Sequence, residues 1–199
     1  RLLVGPASAA ARPGPACYDA VGTDPTVTYA DVILGIIDPS YFLGGQRVLN
    51  AEKSKEAIEK NVARPLGVDL VEAAAGIYDI INSKMADLIR RQVVQVGYLP
   101  EEFVLYSFGG AGPTHAVGYA ADLGVKKIYV FPTSPVFSAF GIAAADVAHT
   151  RVVTCQLIMP VKAAAVNAVI EPIEAELRQA MQAEGFAEGN ISFRRFFNM

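Results

Sequence analysis

The hydrophobic pattern is clearest between Leu70 and Val96, where the chain contains no proline. The apolar positions recur at spacings of three and four residues: Ile77, Ile80, Ile81, Met85, Leu88, Ile89 and Val93. This period predicts a long amphipathic helix packed on a sheet. Asp69 is a favourable N-cap for this helix, and Gly97 is a favourable residue for its end.

A strand–helix–strand pattern follows the long helix. The apolar-rich run Phe103–Phe108 has the length and aromatic content of a buried strand, and Lys127–Phe131 predicts a second strand. Between them lie a glycine-rich turn, Gly109–Pro113, and an amphipathic helix predicted from Thr114 to about Gly124. A strand, a helix and a second strand form a right-handed crossover unit, so the two strands are predicted to be parallel neighbours.

The N-terminal part of the chain is rich in proline and glycine. Residues 1–30 contain four of the twelve prolines, which excludes a long helix and most central strand pairing, so we expect a loop. The segment Asp31–Ile37 is typical of a short apolar turn. Residues 50–64 predict a charged, solvent-exposed helix with Asn50 as its N-cap.

Four further elements are predicted after the second strand. Residues 135–148 predict a closely packed helix, Arg151–Met159 a strand, Lys162–Glu184 an alanine-rich helix, and Ile191–Phe197 another strand. The last strand reaches the end of the chain without a following turn, and the opening residues RLLV are typical of the end of a strand. We therefore expect the chain to be a piece of a larger protein.

Composition narrows the functional classes. The chain has 199 residues and 52% hydrophobic content, which suits one domain, or one domain and part of another. A net charge of −3 with dispersed charges favours neither a nucleic-acid nor a membrane partner, and no apolar run is long enough to span a bilayer. Cys17 and Cys155 lie far apart with no CxxC motif, so we expect no metal site or disulfide and a cytoplasmic location.

The glycine turn Gly109–Pro113 is the strongest candidate for a binding site. A strand, a glycine turn and a helix together let the backbone approach a ligand closely, and unpaired N–H groups at the helix start can face a phosphate or a polar sugar edge. The turn is not a P-loop, because no Gly-Lys-Ser/Thr follows it. It also lacks the dinucleotide fingerprint, because His115 occupies the position of the third glycine. An ordinary strand-to-helix turn remains the alternative.

Five sequence motifs occur in one order along the chain: GPASAAARPGPACY, GTDPTVTYADVILG, YFLGG, FVLYSFGGAGPTHA and PVFSAFGIAAADVAHTRV. Together they resemble the hydantoinase A/5-oxoprolinase family, which includes the ATP-binding subunits of acetone and acetophenone carboxylases. The resemblance covers nearly all of residues 1–160 and weakens through residues 160–199. An unrelated doubly wound α/β domain is the alternative, but generic α/β folding does not require these motifs in this order.

The resemblance implies an α/β fold, specifically an incomplete ribonuclease H-like lobe of the actin, sugar-kinase and heat-shock ATPase type. In that fold, two lobes bind ATP and a divalent metal between them. The implied organisation is a proline- and glycine-rich segment at 1–50, an α/β lobe at 51–150 and the start of a C-terminal region at 151–199. The residues matched to the adenosine side of the ATP site are Gly109, Gly110, Ala111, Gly112, Pro113, Thr114 and His115.

The implied activity is ATP-dependent opening of a cyclic amide, such as 5-oxoproline or a hydantoin, or activation of a ketone for carboxylation. The implied cofactors are ATP with Mg²⁺. The implied partners are the remainder of the parent chain, a hydantoinase B-like subunit and a small-molecule substrate. Family members carry phosphate loops upstream, whereas this chain contains no DxGG sequence. We therefore expect a half-site that is inactive alone. The alternative is an inter-subunit segment that binds no nucleotide.

The chain departs from the family pattern at three places. Ala10 stands where the family usually has glycine, and Arg12 stands where it usually has aspartate. Where the family often has the triplet TDA, this chain has Thr28, Tyr29 and Ala30. A carboxylate from that segment is therefore in question, and Asp31 is the candidate substitute.

Other side chains have both a functional and a structural interpretation. His115 follows the glycine turn, where its imidazole either faces a ligand or is held by packing. His149 is expected to mark a boundary between lobes. Cys17 and Ser8 lie in the N-terminal loop, which in the parent could approach the substrate, although no base is adjacent to Cys17 in sequence. No catalytic residue and no metal ligand are assigned from the sequence.

Overall fold

The computed structural model describes residues 2–10 and 12–197, so Arg1 of the predicted strand end lies outside the described residues. The chain forms two compact units, Arg1–Ala143 and Ala144–Met199, called here the first and second units. Within the described residues, every helix is too short or too polar to cross a membrane. The three segments implied by the family resemblance stay a prediction.

The elements form an α/β fold with few and short strands. The first unit begins with the helical elements 3₁₀ Ala16–Tyr18, α1 Val27–Ile33, α2 Ala51–Ile58, a π-helical turn Glu59–Ala63, α3 Arg64–Leu66 and α4 Leu70–Gln95. It continues with 3₁₀ Pro100–Glu102, β1 Leu105–Ser107, α5 Gly112–Leu123, β2 Ile128–Val130, 3₁₀ Ser134–Val136 and α6 Phe137–Ala144. The second unit contains α7 Ala163–Ala183 and 3₁₀ Glu188–Asn190.

The long helix α4 begins and ends as predicted. The Asp69 carboxylate accepts a hydrogen bond from the Glu72 N–H at 2.8 Å, and Gly97 follows the helix with a φ of +87°. The prediction that α4 packs on a sheet is wrong, because its main neighbours are α1 and α5. The small buried residues Ala73, Ala74 and Ala86 on α4 allow other helices to approach it closely.

Two N-terminal segments are more buried than the sequence indicated. The turn predicted at Asp31–Ile37 is confirmed only for residues 34–37, because α1 extends to Ile33 and buries Tyr29 completely. The capped helix at Asn50 is confirmed, with the Lys53 N–H donating to the Asn50 side chain at 3.1 Å. However, α2 is not solvent-exposed throughout, because Ile58 belongs to the core. In both segments the apolar side chains are buried against α4, a contact that local sequence does not reveal.

The predicted pair of parallel strands is confirmed. β1 and β2 pair in parallel, with Tyr106 opposite Tyr129. One face of this two-stranded sheet packs on α5, through Leu105 and Ile128. Tyr106 and Tyr129 project to the opposite face and are exposed.

The first unit has two hydrophobic cores, and α4 contributes to both. The first core joins the N-terminal segments to the first half of α4 and contains Cys17, Tyr29, Ala30, Ala57, Ile58, Val62, Ala63, Ala73, Ala74 and Ile77. The second core joins the second half of α4 to α5 and contains Ala86, Ala116, Tyr119 and Leu123. Helix α4, on which α5 packs, is therefore held by one core in its first half and by the other in its second half.

The C-terminal predictions are correct for one helix and wrong for two strands. Helix α7 is present as predicted, but the described residues of Arg151–Met159 and Ile191–Phe197 form no strand. Their apolar composition favours strands, but neither segment pairs with another within the described residues. The helix predicted at 135–148 is shorter and is not closely packed, since a Cβ on Gly141 would meet nothing within 4 Å.

Candidate functional site

The glycine turn Gly109–Pro113 is open on its outer side. Gly109 has a φ of +87°, which side chains rarely adopt, and its N–H donates to the Ser134 carbonyl at 2.8 Å. A Cβ added to Gly110 would meet nothing within 4 Å. Helix α5 begins at Gly112 without a side-chain cap. No capping side chain therefore uses the first N–H groups of the helix.

Six of the seven residues predicted for the adenosine side lie along this turn and the first residues of α5. Ala111 is the N-cap, Pro113 is the second residue of the helix, and the Thr114 hydroxyl donates to the Gly110 carbonyl at 3.4 Å. The seventh residue, His115, is buried, and its side chain contacts Asp31 and Tyr78. The six residues of the turn and helix start are thus candidates for ligand contact, whereas His115 is a candidate for supporting them from the protein interior.

A network of hydroxyl groups supports the inner side of the turn. The Tyr119 hydroxyl lies 3.0 Å from the Ser107 hydroxyl and donates to the Gly112 carbonyl at 3.3 Å. The Ser134 hydroxyl donates to the Ser107 carbonyl at 3.2 Å and accepts from the Phe131 N–H at 2.8 Å. Sequence reasoning missed these residues, although Ser107 within an otherwise apolar strand was an available signal.

His115 and Asp31 form a buried polar pair. The His115 Nε2 atom lies 3.4 Å from Asp31 Oδ2, and the two side chains are only 3% and 5% exposed. The imidazole stacks on Tyr78 of α4, with ring centroids 5.0 Å apart. The other polar atoms of the pair, His115 Nδ1 and Asp31 Oδ1, are buried without a hydrogen-bond partner among the described residues. Three helices, α1, α4 and α5, therefore meet at this imidazole.

A close helix contact lies one turn along α5 from His115. Gly118 faces Asn82 of α4 so closely that a Cβ on Gly118 would come within 2.7 Å of the Asn82 amide. Asn82 is buried, and its Nδ2 atom donates to the Tyr78 carbonyl at 2.9 Å. Asn82 therefore lies inside the α4–α5 interface.

The remaining candidates lie apart from the turn or lack activating neighbours. Cys17 is buried, and this burial raises the pKa of its thiol, which disfavours the reactive thiolate. Ser8 is exposed and accepts a hydrogen bond from the Ala10 N–H at 3.1 Å. In the second unit, His149 Nε2 lies 3.0 Å from Glu184 Oε1. Among the described residues, no three His, Cys, Asp or Glu side chains are grouped to hold a metal.

Both the sequence and the fold of this chain resemble known proteins. Residues 1–151 match a family model described as Hydantoinase/oxoprolinase. The chain is 42% identical over 201 residues to the acetophenone carboxylase gamma subunit of Aromatoleum aromaticum, an alignment covering 97% of this chain and 27% of that protein. The chain thus spans about a quarter of the length of this relative.

Two solved structures share the fold. The nucleotide-free structure of acetone carboxylase, from work on ATP-dependent acetone carboxylation, matches with a TM-score of 0.76 and 32% identity. That match covers 93% of this chain and 27% of the carboxylase chain. The ATP-dependent caprolactamase of Pseudomonas jessenii matches with a TM-score of 0.58 and 40% identity, covering 62% of this chain and 18% of the caprolactamase chain.

Proposed function

Because this chain belongs to the hydantoinase/oxoprolinase family, we propose that it contributes the adenosine side of the ATP site in an ATP-dependent enzyme of that family. The reaction proposed for the whole enzyme is the opening of a cyclic amide or the carboxylation of a ketone. Both matched structures are named for ATP-dependent enzymes, one a ketone carboxylase and the other a caprolactamase. The observation that carries the proposal is the sterically open glycine turn between β1 and α5.

The chemistry of the turn suits a ligand held by backbone groups. At Gly110 the backbone can approach a ligand without interference from a side chain. The uncapped start of α5 supplies N–H donors and the positive end of the helix dipole. Beneath them, the Ser107–Tyr119–Ser134 hydroxyl network fixes the turn before a ligand binds, which reduces the ordering that binding requires.

The described residues offer no metal site beside the turn. They contain no group of three potential metal ligands, and Asp31, which lies 3.4 Å from His115, is buried. The proposal therefore assigns the Mg²⁺ ligands and the phosphate loops to the remainder of the family polypeptide. When bound, ATP would supply the phosphoryl group, while the residues of this chain would hold and orient the nucleoside.

Two structural expectations belong to this proposal. The first is that β1, α5 and β2 are part of a ribonuclease H-like lobe, which the parallel strand pair and its covering helix support. The second is a hydantoinase B-like partner subunit, which the naming of a relative as a gamma subunit supports. The cytoplasmic location expected from the cysteine content also remains part of the proposal.

The proposal is tested by calorimetric titration of the chain with ATP, and separately with adenosine, in the presence of Mg²⁺. We expect weak binding with similar affinity for both ligands, because the phosphate side of the site lies elsewhere. Gly110→Val should weaken binding at least about tenfold, since the added side chain occupies open space that a ligand would use. Gly189→Val is the matched control, because its Cβ also meets nothing within 4 Å. A folded chain that binds neither ligand would contradict the proposal.

A second candidate function is an interaction segment that binds no nucleotide of its own. It is favoured by an aromatic surface on the open face of the sheet, formed by Tyr106, Phe108, Tyr129, Phe131, Phe137 and Phe140. Phe131 and Phe137 stack with centroids 4.8 Å apart, while Tyr106 remains 60% exposed. Parallel sheets are normally covered on both faces, so this surface suits a protein partner. The absence of nucleotide binding in the titration would favour this candidate.

A further inference from the structure

We propose that Asp31 is a positioning residue for the glycine turn and that it acts through His115. The inference rests on the proposed adenosine site and extends it to a residue that lies 84 positions before His115 in the sequence. In this arrangement, neither side chain needs to touch the ligand. The pair instead sets where the first turn of α5, and with it the glycine turn, lies relative to α1.

The geometry couples the imidazole directly to the turn. His115 is the fourth residue of α5, so its ring position fixes the helical turn that begins at Gly112. One side of the ring stacks on Tyr78, and Nε2 faces the Asp31 carboxylate at 3.4 Å. With α4 and α1 both in contact with the ring, the start of α5 has little freedom to move independently of those helices.

Each member of the pair already has one buried polar atom without a hydrogen-bond partner among the described residues, His115 Nδ1 and Asp31 Oδ1. Removing either side chain also takes away the polar neighbour 3.4 Å from the other. An unpaired buried polar group is costly, and the structure can lower that cost by moving the group toward water. Loss of Asp31 is therefore expected to displace the His115 ring. The glycine turn, which lies just before His115 in the chain, should move with it.

Helix α1 also links this pair to the proline-rich segment. The Ala16 N–H donates to the hydroxyl of Tyr29, which lies two residues before Asp31 on α1. The Asn50 N–H donates to the Cys17 carbonyl at 2.8 Å, which fixes the same segment to the start of α2. The N-terminal segment, α1 and α5 are thus linked by consecutive contacts, and the Asp31–His115 pair is the link between α1 and α5.

The test compares the backbone amides of Gly109, Gly110 and Gly112 by ¹H–¹⁵N nuclear magnetic resonance, together with adenosine affinity by calorimetry. Asp31→Leu should displace these amide resonances and weaken adenosine binding about tenfold, because His115 loses its partner. Asp31→Asn should leave the affinity within about twofold, because an amide can still pair with the imidazole. Glu184→Leu is the matched control, because it removes the carboxylate from the exposed pair with His149.

A second variant separates positioning from stability. Asp31→Leu combined with His115→Phe removes both polar partners and keeps a ring that can stack on Tyr78, so most of the lost stability should return. The reference for its amides is His115→Phe alone, because the new ring shifts nearby resonances by itself. If Asp31 acts through His115, adding Asp31→Leu to His115→Phe should move the Gly109, Gly110 and Gly112 amides little further. A further displacement as large as that in Asp31→Leu alone would overturn the inference, as would unmoved amides in a folded Asp31→Leu chain.

The outcomes also distinguish this inference from the proposed function. If the wild-type chain binds no adenosine but the turn amides still respond to Asp31→Leu and not to Glu184→Leu, the positioning role stands and the adenosine site fails. If adenosine binds and Asp31→Leu changes neither the affinity nor the amides, the site stands and the positioning role fails. If Asp31→Leu does not fold, the double variant, compared with His115→Phe alone, supplies the amide measurement.

Discussion

The two units of the chain each contain a histidine paired with a carboxylate, and the two pairs differ mainly in burial. In the first unit, His115 and Asp31 are 3.4 Å apart, with side chains 3% and 5% exposed. In the second unit, His149 and Glu184 are closer, at 3.0 Å, but their side chains are 36% and 46% exposed. The shorter distance is not the stronger constraint, because water screens the exposed pair and can replace either partner.

The largest expected difference between the units is in thiol reactivity, because each unit also contains one cysteine. Cys17 is buried, with its thiol pKa raised by that burial, whereas Cys155 is exposed. We expect Cys155 to react at least about a hundredfold faster with an aromatic disulfide reagent in the folded chain. Cys17→Ser and Cys155→Ser assign the two rates. If Cys17 and Cys155 react at equal rates in the folded chain without denaturant, burial does not distinguish the two thiols.

Removal of the carboxylates gives the next largest difference. Asp31→Leu should lower the free energy of unfolding by up to about 3 kcal/mol, because it leaves His115 buried without its polar partner. Glu184→Leu should lower it by less than about 1 kcal/mol, because water solvates His149. Urea unfolding followed by circular dichroism measures both values. Similar losses for the two variants would mean that burial does not control the strength of these pairs.

Two helical glycines provide a smaller contrast of opposite sign. Gly118→Ala should destabilise the chain by about 1–3 kcal/mol, because the new methyl group overlaps Asn82 across the α4–α5 interface. Gly141→Ala on α6 should stabilise it by up to about 1 kcal/mol, because alanine favours helix and the site is open. Asn82→Ala should relieve the cost at Gly118, and thermal unfolding of Gly118→Ala, Asn82→Ala and the double variant tests this coupling. Additive effects of the two substitutions would argue against direct contact.

The smallest expected contrast involves single hydroxyl groups. Tyr119→Phe should cost about 1 kcal/mol, because it removes the bond to the Gly112 carbonyl and the contact with Ser107. Tyr129→Phe is the control on the exposed face of the sheet and should change the unfolding free energy by less than about 0.5 kcal/mol. The pair is measured by urea unfolding. An equal effect at both positions would indicate that the hydroxyl network does not stabilise the turn.

Features that depend on local chemistry were predictable from the sequence. The limits of α4 follow from the Asp69 cap and from Gly97, and the strand–turn–helix–strand order follows from the apolar runs and the glycines between them. The predictions of strands at Arg151–Met159 and Ile191–Phe197 were wrong because a strand depends on more than local chemistry. A strand requires a partner, and strand-forming composition does not provide one.

The candidate site was predictable only at its surface. The sequence identified the glycine turn, but it did not reveal that Ser134 bonds to the carbonyl of Ser107, which lies 27 residues earlier. It identified Asp31 only as a replacement carboxylate, and it left the role of His115 open. These contacts depend on how α1 and α5 both pack on α4 and meet at His115, and no local pattern encodes that arrangement.

Helix α4 has a consequence for how the first unit opens. Its 26 residues contribute Ala73, Ala74 and Ile77 to one core and Ala86 to the other. Neither core can then separate without exposing part of a helix that the other core still requires, so the two should behave as one cooperative unit. In hydrogen-exchange measurements, the amides near the middle of α4 are therefore expected to exchange only when the whole unit unfolds.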